Sequence, residues 1–386
     1  MRIIQASYIL PLNTAPIKNG YLYIEDDGTV IHVNDVAPIT NQFEVEVYEG
    51  IVCPGFVNSH CHLELSHMKG LMPTGSGLPK FVSQIPKLRQ TSKVDKLKSM
   101  KEADQNMYKS GIVAVGDISN TTESLSIKKN SAMRYHSFVE LFGLDKNKAE
   151  DLLREGLKTV KEYRSFNLSA CLVPHAPYSL SPQLLEKIYS NSDDQLLTIH
   201  YQETASEKEL FLDSKGDLAE LFIAKGLDLS SQLKSGLNSA QYALLPYLAK
   251  KQKLLLVHNT FSDSTDIEEI ETYFSQAYWC TCPKANWYIE KQLPNYDLWR
   301  RKNLKITIGT DTLTSNDTLC VLEEIKMIQK NFPHIPTNEL LTWACKNGAE
   351  FFNYNQLGSF RTGSKPGVLL IEHVNGLQLT EKSKVS

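Results

Sequence analysis

Short apolar runs alternate with amphipathic stretches along most of this chain. Residues 51–58, 112–117, 133–141, 168–174, 196–200, 254–258, 277–281 and 306–311 read as strands. Between them, 149–163, 182–190, 240–250, 267–274 and 319–330 carry apolar residues at helical spacing. Strands that alternate with helices imply βαβ units and parallel sheet. Eight strand candidates predict an α/β fold, a (β/α)8 barrel of the TIM type, for which about 250 residues suffice. An open doubly wound sheet is the alternative, although no G-x-G-x-x-G follows an early strand.

The two ends have a different pattern. Residues 21–25 and 30–33 alternate in polarity around Asp26-Asp27-Gly28-Thr29, a hairpin signal, and 43–48 alternates again. After Gly358, Gly363 and Pro366-Gly367, residues 368–373 and 376–379 return to β character. The expected organisation is a small discontinuous β-sandwich domain, 1–52 with 357–386, flanking a barrel domain over 53–356.

Composition narrows the partners. The chain has 386 residues, 41% hydrophobic and 22% charged, with a formal net charge of -3. These values fit a globular chain and give no reason to expect nucleic acid or an anionic membrane as partner. The N-terminal run is broken by Asn13 and Pro16, so neither a membrane span nor a signal peptide is expected. Seven cysteines argue against a disulfide framework. Cys280 and Cys282 lack the second pair that a thiolate metal site needs, so buried thiols are expected. The expected setting is the cytoplasm, with a small-molecule substrate and a homodimer left open.

Candidate chemistry sits at the strand ends, where a parallel barrel keeps its catalytic groups. The run Pro54-Gly55-Phe56-Val57-Asn58-Ser59-His60-Cys61-His62 closes the first strand with two histidines two apart. Residues i and i+2 of a strand project to one side, so both imidazoles can meet one ion. His175 follows the fourth strand, His200 and His258 end the fifth and sixth, and Asp311 ends the eighth. A hydrolytic metal centre needs an open position for water, whose pKa the ion lowers towards about 7. Three histidines and an aspartate meet that need, and an aspartate beside the ion can accept the water's proton. Glu203, three residues after His200, can reach the same mouth as a proton donor. The alternative is an acid placed to favour a helix N-terminus.

At PGFVNSHCHLELS, PHAPYSLS, HYQET, VHNTF, CPKANWYI, GTDTLTSNDTLCVLEEI and KPGVLLIE the chain resembles the amidohydrolase superfamily. More narrowly, it is similar to the branch of nucleoside and nucleobase deaminases and triazine chlorohydrolases. The resemblance implies one divalent ion held by His60, His62, His200 and Asp311, with zinc favoured over iron or manganese. It further implies that His258 holds the attacking water or polarises the substrate, that Glu203 shuttles the proton, and that His175 contacts substrate. No lysine stands at the end of the fourth strand, which favours one metal over two. The HLE wording and the GTDxLxSN pattern occur in aminofutalosine deaminases. On that likeness Glu64, Ser315 and Asn316 join the expected substrate contacts, with a solvated turn as the other reading of Glu64.

The segment 70–87, rich in glycine and proline, is expected as a loop over the barrel mouth or a plain surface connection. Tyr178, Trp287 and Tyr288 can add stacking surface or simply pack. The reading is a metal-dependent aminohydrolase acting on a purine nucleoside-like or other N-heterocyclic substrate. Cyclic amide hydrolysis, chloride displacement at the same centre, and a noncatalytic ligand-binding barrel are the alternatives.

Overall fold

The structure, a computed structural model, describes residues 1–38, 44–91, 93–192, 196–229, 233 and 236–386. Phe43, which opens the alternating run 43–48, lies outside them. In chain order the strands begin with β1 (Arg2–Ile9), β2 (Ile17–Lys18), β3 (Tyr21–Ile24), β4 (Val30–Asn34) and β5 (Val45–Pro54). Next come β6 (Phe56–Cys61), β7 (Ile112–Ser119), β8 (Arg134–Leu141) and β9 (Ser169–Pro174). They are followed by β10 (Leu196–Tyr201), β11 (Lys253–His258), β12 (Gln276–Thr281) and β13 (Ile306–Ile308). The last two are β14 (Val368–Glu372) and β15 (Lys384–Val385).

Both chain ends join one seven-stranded sheet, ordered β15-β14-β5-β1-β3-β4 with β2 on β1. This is a single sheet where a sandwich was expected. Its two faces follow the period-two alternation of the strands. Val52, Val368 and Leu370 face a small core with Ile4, Ile9, Leu22, Ile24 and Phe360. Ile51, Cys53, Leu369 and Ile371 turn the other way, into the main core. One face of the sheet thus seals the larger unit, so it needs no second sheet of its own.

The eight strands β6 to β13 form two four-stranded parallel sheets, β6-β7-β8-β9 and β10-β11-β12-β13. Four of them, β6, β10, β11 and β13, are buried along their whole length, and the other four at all but one residue, as parallel strands covered on both faces must be. Backbone links join the two sheets at both seams. Cys61 pairs with Asp311 in a parallel bridge, and the His200 N–H donates to the His175 carbonyl at 2.8 Å.

Several boundaries differ from expectation. The apolar run 51–58 is divided between β5 and β6 by Gly55. A Cβ on Gly55 would lie 2.4 Å from Val113 Cγ1 and 2.9 Å from the Pro366 carbonyl oxygen, so only glycine lets the chain cross here. The helix expected over 240–250 covers only Ser239–Ala243. Pro246 ends it by disfavouring helical backbone at the residue before it. Half of the expected loop 70–87 is a helix, Leu78–Thr91, with Pro79 tolerated in its first turn. Residues 376–379 make only an isolated bridge, Asn375 with Gln378. No helix among the described residues is long and apolar enough to cross a membrane, and the cysteines form no disulfide.

Candidate metal centre

The site is assembled by backbone stitching between β6 and the turn after β13. The His60 carbonyl accepts from the Thr310 and Asp311 N–H groups at 2.9 and 3.1 Å, and the His62 N–H donates to the Asp311 carbonyl at 3.2 Å. Asn58 braces this seam from the strand interior. Its side chain donates to Thr310 Oγ1 at 2.7 Å and accepts from the Thr310 N–H at 3.1 Å. His258 and Asp311 adopt φ of 75° and 56°. Left-handed backbone costs a non-glycine residue about 1–2 kcal/mol, so the surrounding contacts hold both side chains in place against local preference.

His60, His200, His258 and Asp311 each present a ligand atom within 4.8 Å of the others. His62 Nε2 joins them, 3.1 Å from His60 Nε2, 3.3 Å from His200 Nε2 and 3.4 Å from Asp311 Oδ1. All five residues are buried. Two ring tautomers can be assigned from their outer partners. His200 Nδ1 donates to the His175 carbonyl at 2.8 Å, and His258 Nδ1 to Asn286 Oδ1 at 2.7 Å. Each therefore turns a lone pair at Nε2 towards the cluster. Burial pushes the pKa of His60, His200 and His258 down and takes His62 to about 3. Burial opposes ionisation of Asp311 as well, but the hydrogen bond with His60 and the neighbouring imidazoles hold it below the usual carboxylate range. Lone pairs of neutral rings converging on a carboxylate repel one another unless a cation lies between them. The donor set thus fits a divalent ion of the zinc type.

Glu203 follows β10, one residue ahead of Thr204, which precedes the helix Ala205–Asp213. It is buried, with Oε1 3.6 Å from His258 Nε2. Burial first, then the charges of Asp311 and Glu290, push its pKa well above the usual carboxylate range. His175 is half-buried at the same mouth, its ring centroid 4.8 Å from that of His200. Burial lowers its pKa to about 4.

The remaining expected contacts are placed differently. Glu64 is not in a solvated turn but only 2% exposed. Its carboxylate accepts from the Asn120 and Thr121 N–H groups at 3.2 and 3.1 Å, from Thr121 Oγ1 at 2.9 Å and from Arg89 at 2.9 Å. Ser315 Oγ donates to Asp311 Oδ2, orienting that carboxylate. The Asn316 amide is taken up by the Thr310 carbonyl at 3.0 Å and Glu324 Oε1 at 2.7 Å. Trp287 is exposed and lines an outer surface groove with Met327 and Lys330. Tyr288 is half-buried and its hydroxyl donates to the Met72 carbonyl. The segment ahead of the helix Leu78–Thr91 is fastened to the same stretch. Gly77 N–H donates to the Ile289 carbonyl at 3.1 Å, and Leu78 N–H to Glu290 Oε1 at 2.7 Å.

Comparison with known proteins agrees with this geometry. A family model described as the amidohydrolase family matches residues 51–382. The chain belongs to the amidohydrolase family. Among its relatives, an adenosine deaminase of Helicobacter pylori is 26% identical over 342 residues, covering 85% of this chain and 82% of that protein. The crystal structure of Helicobacter pylori aminofutalosine deaminase in complex with methylthio-coformycin shares the fold, with a TM-score of 0.82 at 22% identity. That alignment covers 98% of this chain and 94% of the other. An adenosine deaminase from Xanthomonas campestris with bound zinc aligns at a TM-score of 0.71 and 17% identity, over 96% and 84% of the two chains.

Three residues that sequence reasoning passed over belong to this amidohydrolase site. Asn58 and Asn286 lie inside motifs already singled out, but nothing in their spacing shows that one braces Thr310 and the other holds His258. Glu140, the penultimate residue of β8, is a charged residue closing an apolar strand, and that was the available signal.

Proposed function

We propose that this chain is a metal-dependent aminohydrolase that releases ammonia from a purine nucleoside-like substrate. The observation that carries this reading is the buried convergence of His60, His62, His200 and Asp311 beside the buried carboxyl of Glu203. Those four would hold one zinc ion, which when bound supplies an acidified water and positive charge for the attacked centre. The family membership and the deaminase relatives support the substrate class.

The chain's own groups divide the proton work. Asp311, held ionised, takes a proton from the attacking water. Glu203 keeps its proton because charge is disfavoured where it is buried, and it gives that proton to the ring nitrogen as the ring carbon becomes tetrahedral. His258, with Nδ1 fixed on Asn286, presents an acceptor at Nε2 that orients the water for attack. The proton collected by Asp311 then goes to the departing amine, and as the carbon–nitrogen bond breaks the hydroxyl left on the ring carbon becomes a carbonyl and returns its proton to Glu203. The enclosed mouth strengthens each of these contacts by excluding bulk water.

We read the two four-stranded sheets as halves of one (β/α)8 barrel over 53–356. The sheet shared by 1–52 and 357–386 would be a flanking domain. A chain of this kind, with several thiols and no disulfide, suits the cytoplasm. A screen for ammonia release over adenine nucleosides, aminofutalosine, guanine, cytosine and pterins tests the function. Release from an adenine-type nucleoside is expected, and silence across the panel from the zinc-loaded protein would refute the deaminase reading.

A further inference from the structure

The outer ring nitrogens of His200 and His258 are fixed by hydrogen bonds, but none among the described residues reaches Nδ1 of His62. His62 lies one residue beyond β6 and opens the turn Leu63–Met68. Its N–H donates to the Asp311 carbonyl, and its own carbonyl accepts from the Leu65 N–H at 3.1 Å. The direction of its ring is therefore set by the backbone of this turn.

Two buried carboxylates grip the turn from opposite sides. Asp117 of β7 accepts from the Leu63 N–H at 2.8 Å. Glu64 reaches the other way, from the turn to the Asn120 and Thr121 N–H groups just past the end of β7. Thr121 Oγ1 and Arg89 supply two more donors, so the four acceptor positions of this carboxylate are filled. Asn120 carries the link on to β8, where its side chain donates to the Glu140 carbonyl at 3.2 Å. Arg89 comes from the last turn of the helix Leu78–Thr91. Apolar residues of the same shape often stabilise a fold as well as a buried ion pair does, so stability alone does not account for Glu64 and Arg89.

We infer that Glu64, backed by Arg89, is a positioning residue for the metal: by fastening the turn to the end of β7 it keeps His62 Nε2 among the ligands. This rests on the metal-dependent reading above. His200 and His258 have ring partners of their own, and Ser315 orients Asp311. His62 has only its turn, and it moves with the turn once Glu64 is lost.

The test measures zinc affinity by chelator competition for wild type, Glu64→Leu, Glu64→Gln and Arg89→Met. It also records the visible absorption of each protein saturated with cobalt(II) in place of zinc. Glu64→Leu should bind zinc about 10–100-fold more weakly, the range seen when an outer partner of a ligand is removed. Its cobalt spectrum should differ from that of the wild type, because one imidazole is displaced. Glu64→Gln, which can still accept from Thr121, should lose less. Arg89→Met changes a side chain that is 23% exposed, and it should shift affinity and spectrum in the same direction even if Glu64→Leu fails to fold. Wild-type zinc affinity in Glu64→Leu or Arg89→Met, or weaker binding with an unaltered cobalt spectrum, overturns the assignment. A wild-type chain that takes up no zinc overturns the metal reading itself, a separate result.

Discussion

His258 Nδ1 lies 2.7 Å from Asn286 Oδ1, and this contact fixes which face of the imidazole looks into the centre. Asn286 is buried on the helix Pro283–Glu290, and its amide nitrogen reaches back to the His258 carbonyl at 3.5 Å. Replacing Asn286 with leucine frees the ring to turn over or change tautomer. Outer partners of this kind are worth about 10–100-fold in activity. Asn286→Leu should lose that much in kcat and retain bound metal, measured by steady-state ammonia release with metal analysis of the same sample.

Glu203→Gln removes the ionisable carboxyl, whose pKa burial raises, while preserving its shape. General acid–base groups contribute about 10²–10⁴-fold. The variant should lose kcat in that range with the metal still bound. Turnover of an adenine nucleoside at the wild-type rate would remove Glu203 from the relay.

A buried ion pair underlies the metal-bearing turn. Lys128 Nζ lies 2.6 Å from Asp117 Oδ2, with both side chains fully enclosed, and bonds Ser119 and Ser137 at 2.7 and 2.9 Å. Asp117 Oδ1 accepts from the Leu63 N–H at 2.8 Å, the residue after His62. Lys128→Met leaves Asp117 charged and unpaired, which should cost about 3–5 kcal/mol in denaturant unfolding. Adding Asp117→Asn should recover part of that loss.

The chemistry was more legible in the sequence than the boundaries. His60, His62, His200, His258 and Asp311 stand out because each closes an apolar run, and a parallel strand buried on both faces leaves polar groups only at its ends. The crossing at Gly55 was hidden for the same reason. An apolar run feeding two sheets looks like one long strand, and only the contact with Val113 and Pro366 reveals the break. The solvated-turn reading of Glu64 fails because the side chain is enclosed by Asn120, Thr121 and Arg89. Those partners come from distant parts of the chain, and no local pattern announces them. The helix Leu78–Thr91 was obscured by its prolines, although a proline in the first turn is also a starting signal.

Stability should depend on pH through buried carboxyls away from the ion. Glu207 is fully enclosed, and burial raises its pKa to about 8 although Ser239 Oγ donates to it at 2.6 Å. A carboxyl raised above its unfolded value near 4.5 stabilises the fold fully at low pH, and that contribution is lost as pH climbs towards about 8. One such group gives a slope of at most about 1.4 kcal/mol per pH unit. Glu207→Gln should flatten the fall in unfolding free energy between about pH 5 and pH 8. An unchanged slope would place the titration elsewhere.

The most direct measurement is metal content alongside ammonia release, before and after chelation, for wild type, His62→Ala and Asp311→Ala. The account predicts one zinc equivalent per wild-type chain and deamination of an adenine-type nucleoside. Both should be lost on chelation, restored by added zinc, and absent or nearly so in the two variants. Ammonia release by a metal-stripped chain, or full metal content and turnover in either variant, would contradict it.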